Sequence, residues 1–453
     1  SDLYNSVSDP KIARDLKRQT LRAFLFAKKY RGKTRKLYTP TLAQALRVYE
    51  NIFQEAAKPA IFAHLIFSAD TRPHQHGALV QKTEEILTAI SNQLRFFELE
   101  LLRIPEKRLR YYIRHVIFSP WRHFLERLVL FRPHRLAESE ENILEQKRAT
   151  GARAWSRFFT QEHATKSYIF KWKKKERQIG ESETLKMLHD VDRRKRIAAQ
   201  VAFTEGLKEE QKRMTYLFNV KMFDKKINDT LLHYDRPESN RHLDNEISQK
   251  AVDALVSVVT QRYTVVQDYY RLKRRILGYK KIYDYDRYAP VLSDSKRFSY
   301  RAAQDMIVNS FSRFSPVFGK IAKEFFDKKW IDAEARKGKR GGAFCQYVTP
   351  NLHPYISMSF HGTPRDVMTL AHELGHGIHA YLARKNDYLT FDAPLTLAET
   401  ASVFGELLVF HNLIGSLESP RERLSLLASK IEDVFSTVFR QVAMFTFERR
   451  IHF

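Results

Sequence analysis

The sequence predicts a mainly α, multi-helix protein with one small β-sheet, on three observations. Only 15 Gly and 15 Pro punctuate 453 residues, too few for a turn-rich all-β chain. Long segments repeat apolar residues at three- and four-residue spacing, the period of a helix that packs on one side. The stretch that departs most clearly from this texture, residues 335–363, is short and Gly-bearing. With 43% hydrophobic and 29% charged residues, the composition is globular, and the length suits one large domain or two to three ordinary ones.

Taken in order, Asp9-Pro10 is a helix start, an Asp cap followed by a Pro that needs no N–H partner. Leu42 to Ala56 and Thr83 to Leu102 read as amphipathic helices, and Pro73, Pro105, Pro120 and Pro133 mark the breaks between helical segments. Residues 1–150 form an N-terminal helical lobe on this reading, and 151–453 a second helical domain. The basic run Lys171 to Arg177 reads as a solvated helix face. Tyr234 to Asn240 is a loop, Ile247 to Leu277 resumes helical periodicity, and Tyr283 to Pro290 is aromatic and irregular. Arg336 to Gly342 is a flexible basic turn leading into two short runs, Ala343 to Val348 and Tyr355 to Phe360, that read as paired strands.

Several function classes are excluded at this level. Cys345 is the single cysteine, which rules out an intrachain disulfide framework and any Cys-based zinc or iron–sulfur centre and fits a reducing, cytoplasmic setting. The longest apolar runs fall well short of the roughly 20 residues that cross a bilayer, so no membrane association is expected, and the first residues show no leader pattern. The net charge of +26 would suit an anionic partner, yet residues 301–453 carry 19 Lys+Arg against 16 Asp+Glu, so almost all of it lies upstream of the chemistry. No nucleic-acid-binding motif accompanies it, and none is expected as a partner.

The chemistry sits in Asp366 to Leu382, a strong helical segment containing His372-Glu373-Leu374-Gly375-His376. Residues four apart lie one turn apart on the same face, so both imidazoles can address one metal ion, with Glu373 beside it to deprotonate a water. A catalytic zinc needs a third protein ligand. His379 cannot supply it, because three side chains on consecutive turns of a straight helix do not converge on one small ion. Leu395 to Glu406 is an apolar helix carrying two acids seven residues apart, Glu399 and Glu406, and either carboxylate fits from spacing. Asp366 fits a helix-start acid as well as a group that orients a ligand.

These residues resemble a known family. His372 to His379, preceded by Phe360-His-Gly-Thr363 and followed by Leu397-Ala-Glu-Thr-Ala-Ser402, together with Lys339 to Cys345 and Tyr234 to Ser239, are similar to segments of the oligoendopeptidase F family. Its members are zinc metallopeptidases related to thimet oligopeptidase. The resemblance implies an elongated helical body with a deep substrate cleft, one zinc per chain held by His372, His376 and Glu399, and Glu373 as general base. Glu406 is then left outside the ligand set. It further implies that the strand around Gly342, Ala343 and Phe344 binds an extended substrate, a short unstructured peptide. Family chains continue past the position of Phe453 and place oxyanion donors there. The expectation is therefore a chain truncated at its C-terminus, with a catalytically impaired peptide- or metal-binding homologue as the alternative.

Overall fold

The computed structural model describes residues 2–291 and 297–452, with the backbone alone at Ala149, Ala164 and Thr165. Helices dominate, as predicted, joined by two small sheets. The chain divides into two compact units, each built from two separated segments: Ser1–Pro133 with Lys296–Ser416, and His134–Ser295 with Leu417–Phe453. Residue 150 is the last residue of the helix Glu138–Thr150, and the second unit includes it.

In the first unit, helices Pro10–Tyr30, Thr39–Ala69 and His74–Leu102 pack on one another. Asp9 caps the first by accepting the Lys11 N–H at 2.9 Å. Its buried positions, Ile12, Leu16, Gln19, Ala23, Phe26 and Tyr30, recur every three or four residues and form one stripe. The second helix runs through Pro59 to Ala69, past the predicted end at Ala56, because burial of its apolar face outweighs the one N–H bond that proline forfeits. Phe26, Tyr49, Phe96 and Phe97 form an aromatic core, Phe26 meeting Phe97 edge-on at 5.1 Å.

Buried Glu50 links this bundle to the C-terminal segment of the same unit. Its carboxylate accepts the Trp121 indole N–H and the Leu389 backbone N–H, each at 2.9 Å. Thr71 similarly donates its N–H to the Gly338 carbonyl at 2.8 Å. The predicted flexible turn is thus tied down. Lys339 is buried with its ammonium donating to the carbonyls of Asp332, Glu334 and Met358, and Arg336 pairs with the Asp332 carboxylate.

The second unit holds a hairpin that the sequence reading missed. Strands β1 (Ser167–Trp172) and β2 (Lys175–Gly180) pair antiparallel, Trp172 opposite Lys175, so the run Lys171 to Arg177 is solvated but is not a helix face. Lys173 and Lys174 make the two-residue turn with φ of 49° and 60°. Such a turn is ordinarily announced by Asn-Gly or Asp-Gly, and Lys-Lys gives no such signal. Tyr168, Phe170 and Ile179 of the hairpin pack on Ala199 and Ala202 of the helix Arg193–Glu209. Near it lies an ionic knot. Asp286, fully buried, accepts bonds from Arg193 at 2.7 and 3.0 Å and from Arg196 at 2.9 Å.

The other sheet belongs to the first unit and has the order β3-β5-β4. Here β3 is Ile331–Asp332, β4 is Phe344–Gln346 and β5 is Tyr355–Ser357. The predicted pairing of the last two is present, antiparallel with Cys345 opposite Ile356, over three residues each. β3, parallel to β5, had too short a run to be read.

Candidate metal centre

The helix Pro364–Ala383 starts on a reciprocal cap. Thr363 Oγ1 accepts the Asp366 N–H at 3.2 Å, and the Asp366 carboxylate accepts the N–H groups of Thr363 at 2.9 Å and His361 at 3.0 Å. Asp366 therefore begins the helix and fixes its entry. Val367, Leu370, Ala371, Leu374 and Ile378 bury one face, which leaves His372 and His376 on a flank that is only half-buried.

The helix Leu395–Gly415 packs against it. A Cβ on Gly375 would stand 2.5 Å from the Ala401 carbonyl oxygen and 2.6 Å from the Ser402 Cα, so the two backbones touch where a side chain would intervene. This approach brings Glu399 over the histidines. Leu395–Gly415 is the one helix among the described residues long and apolar enough by composition to cross a membrane, with 28% of that stretch buried.

Nε2 of His372 and Nε2 of His376 lie 3.2 and 3.3 Å from the same Glu399 oxygen, Oε2. The donor atoms of the three residues all fall within 4.8 Å of one another. Glu406 Oε2 faces the other nitrogen of His372, Nδ1, at 3.5 Å, and Ser402 Oγ donates to Glu399 Oε2 at 2.7 Å. His379 lies outside this donor group; its buried Nδ1 has no hydrogen-bond partner among the described residues. Two imidazoles and one carboxylate are the donor chemistry that zinc takes, and their convergence on one point fits a small cation.

Burial works against charge at both histidines, with different results. At His372 the acids Glu406, Glu373 and Glu399 outweigh burial and hold the pKa above its ordinary value. At His376 burial prevails and the pKa lies below it. Glu373 is buried, and that burial pushes its carboxyl up to about 7, against the pull of His372 and of the Cys345 backbone N–H. An acid so placed exchanges a proton readily near neutrality.

The donors open on a cavity of about 600 Å³. Ala343, Phe344 and Cys345 form one wall, and β4 is an edge strand with β5 as its only neighbour in the sheet. Gly342 is not among the lining residues. It has φ of +86° with no atom within 4 Å of where a Cβ would stand, so the turn into β4, not crowding, favours glycine there. Sequence reasoning missed Tyr347 and Asp392 in the cavity wall, and Ser402 behind Glu399. Ser402 is three residues past Glu399 on a helix, a spacing that signals contact. Tyr347 lies one residue past β4, within the run read as a strand, and Asp392 sits in an irregular segment.

A helical scaffold thus presents two histidines, a carboxylate and a buried acid to one cavity, a donor set that could hold a metal ion. The chain belongs to peptidase family M3, whose family model matches residues 186–453. An oligopeptidase F model matches residues 100–165. The chain is 26% identical over 429 residues to oligopeptidase PepF of Bacillus subtilis, an alignment covering 94% of this chain and 64% of the relative. It therefore spans somewhat less than two thirds of that relative's length. An oligoendopeptidase F homologue of Lactococcus lactis subsp. lactis is 26% identical, covering 89% of this chain and 67% of the relative. Among solved structures, a putative peptidase from Chlamydophila abortus superposes with a TM-score of 0.79 at 23% identity, over 92% of this chain and 70% of that one. Oligoendopeptidase-F from Enterococcus faecium gives 0.66 at 19% identity, over 98% and 73%. These similarities place the fold among the mainly helical oligopeptidases.

Proposed function

We propose that the chain is a zinc-dependent endopeptidase of short, unstructured peptides, with one zinc held by His372, His376 and Glu399. The observation that carries this reading is the convergence of three donors and the buried Glu373 on one cavity walled by an edge strand. When bound, zinc supplies Lewis acidity to the scissile carbonyl and to water. Glu373 takes the proton of the attacking water and returns it to the leaving amine, a role that suits a carboxyl held near 7 by burial. Glu406 and Ser402 orient His372 and Glu399. The free edge of β4, at Ala343 and Phe344 with the Gly342 turn before it, offers backbone groups to an extended peptide. An edge of this kind selects chains without structure of their own.

The test is zinc content and hydrolysis of a quenched fluorescent peptide by the chain and by Glu373→Gln. The reading expects zinc near one per chain in both, and cleavage reduced about 10²- to 10⁴-fold in the variant. A wild-type chain without zinc, or a variant that cleaves as well as wild type, overturns it. Zinc with no cleavage by the wild type would assign the chain to peptide or metal binding instead.

A further inference from the structure

Asp392 lines the same cavity as His372, Glu373 and Glu399, yet stands outside the donor group. Its side chain is open to the cavity, while the protein around it raises the carboxyl above its ordinary pKa by desolvation. No hydrogen bond or ion pair among the described residues engages its carboxylate, although the chain carries 78 Lys and Arg. Asp392 is exposed, so its charge is available to a group that enters the cavity. Tyr347 lines the cavity too, half-buried, its ring 6.0 Å from that of Phe391. Phe391 is the residue before Asp392, so Tyr347 packs beside the segment that carries Asp392. The segment is held from behind, Leu389 by Glu50 and Thr390 by the Pro120 carbonyl.

We propose that Asp392 and Tyr347 form a subsite for a cationic group of the bound peptide, and so determine specificity. A carboxylate beside an aromatic face is a recognition pair for an ammonium or guanidinium. The cation would be a Lys or Arg side chain close to the cleaved bond or the peptide's own N-terminal amine. The inference rests on the peptidase reading, and the experiment separates the two.

Binding is measured with the zinc-loaded full chain carrying Glu373→Gln, so that no turnover intervenes. Four labelled peptides of one sequence are compared by fluorescence anisotropy: Lys or norleucine beside the scissile position, each with a free or acetylated N-terminus. The cationic forms are expected to bind at least tenfold more tightly than the doubly neutral one. Adding Asp392→Asn should cut that ratio below threefold, whereas Asp392→Glu should retain most of it. Loss of the preference with norleucine identifies the side chain, and its loss on acetylation the N-terminus. Equal binding of all four peptides by the Asp392 protein overturns the subsite whether or not the variants fold. Equal weakening of all four by Asp392→Asn, at unchanged zinc content, also overturns it. Failure of the zinc-loaded chain to bind any of them sinks the peptidase reading and the subsite together.

Discussion

Asp286 shows how much one buried charge can carry. Burial disfavours its ionised form, but the bonds from Arg193 and Arg196 prevail and keep its pKa below the ordinary 3.8. A depressed acid stabilises the fold fully above its unfolded-state value and loses that contribution as pH falls through the folded value. Asp286→Asn should therefore cost about 3–5 kcal/mol at pH 7, since it leaves two guanidinium groups without their partner. Urea melts at pH 7 and below 3.8 check this: the gap between variant and wild type should narrow on the acid side. The same logic separates the metal-site acids. Glu399 shares one oxygen with two imidazoles, and Glu406 reaches only the far side of His372, so spacing alone left both open and geometry distinguishes them.

At the scale of elements, the metal centre depends on two helices whose backbones meet at Gly375. Gly375→Ala must push them apart by several tenths of an ångström at least. A loss of about 1–3 kcal/mol of stability is expected from overpacking, together with about a 10- to 100-fold weaker hold on zinc as Glu399 withdraws. A chelator competition measures the second effect. The helices themselves were legible because their apolar period is long and uninterrupted: the two histidines and both glutamates were placed correctly on faces from spacing. What was not legible lacked periodicity or turn chemistry. β3 is two residues long, Asp392 lies in an irregular segment, and the β1–β2 turn uses lysines where the backbone favours Asn and Gly. Replacing Lys173-Lys174 by Asn-Gly should relieve two positive-φ side chains and raise stability by about 0.5–1 kcal/mol, read as a higher melting temperature of the second unit.

At the scale of the molecule, the order of the chain and the order of the structure differ. The first unit needs residues 296–416 beside residues 1–133, and Glu50, Thr71 and Asp2 each bond to that distant segment. During synthesis the opening 133 residues thus emerge from the ribosome long before their partners exist. At translation rates of about 5–20 residues per second, the intervening stretch imposes a wait of about 8–30 s. Throughout it, the Glu50 carboxylate lacks the Leu389 N–H, and the aromatic helices lack the segment that completes their unit. Ribosome-bound chains stalled before residue 296 should be cut readily by protease within 1–133, and chains stalled well past residue 416 should resist. The nascent protein is thus exposed to holding factors throughout that wait, and its three candidate metal donors, all in the late segment, are made only after it.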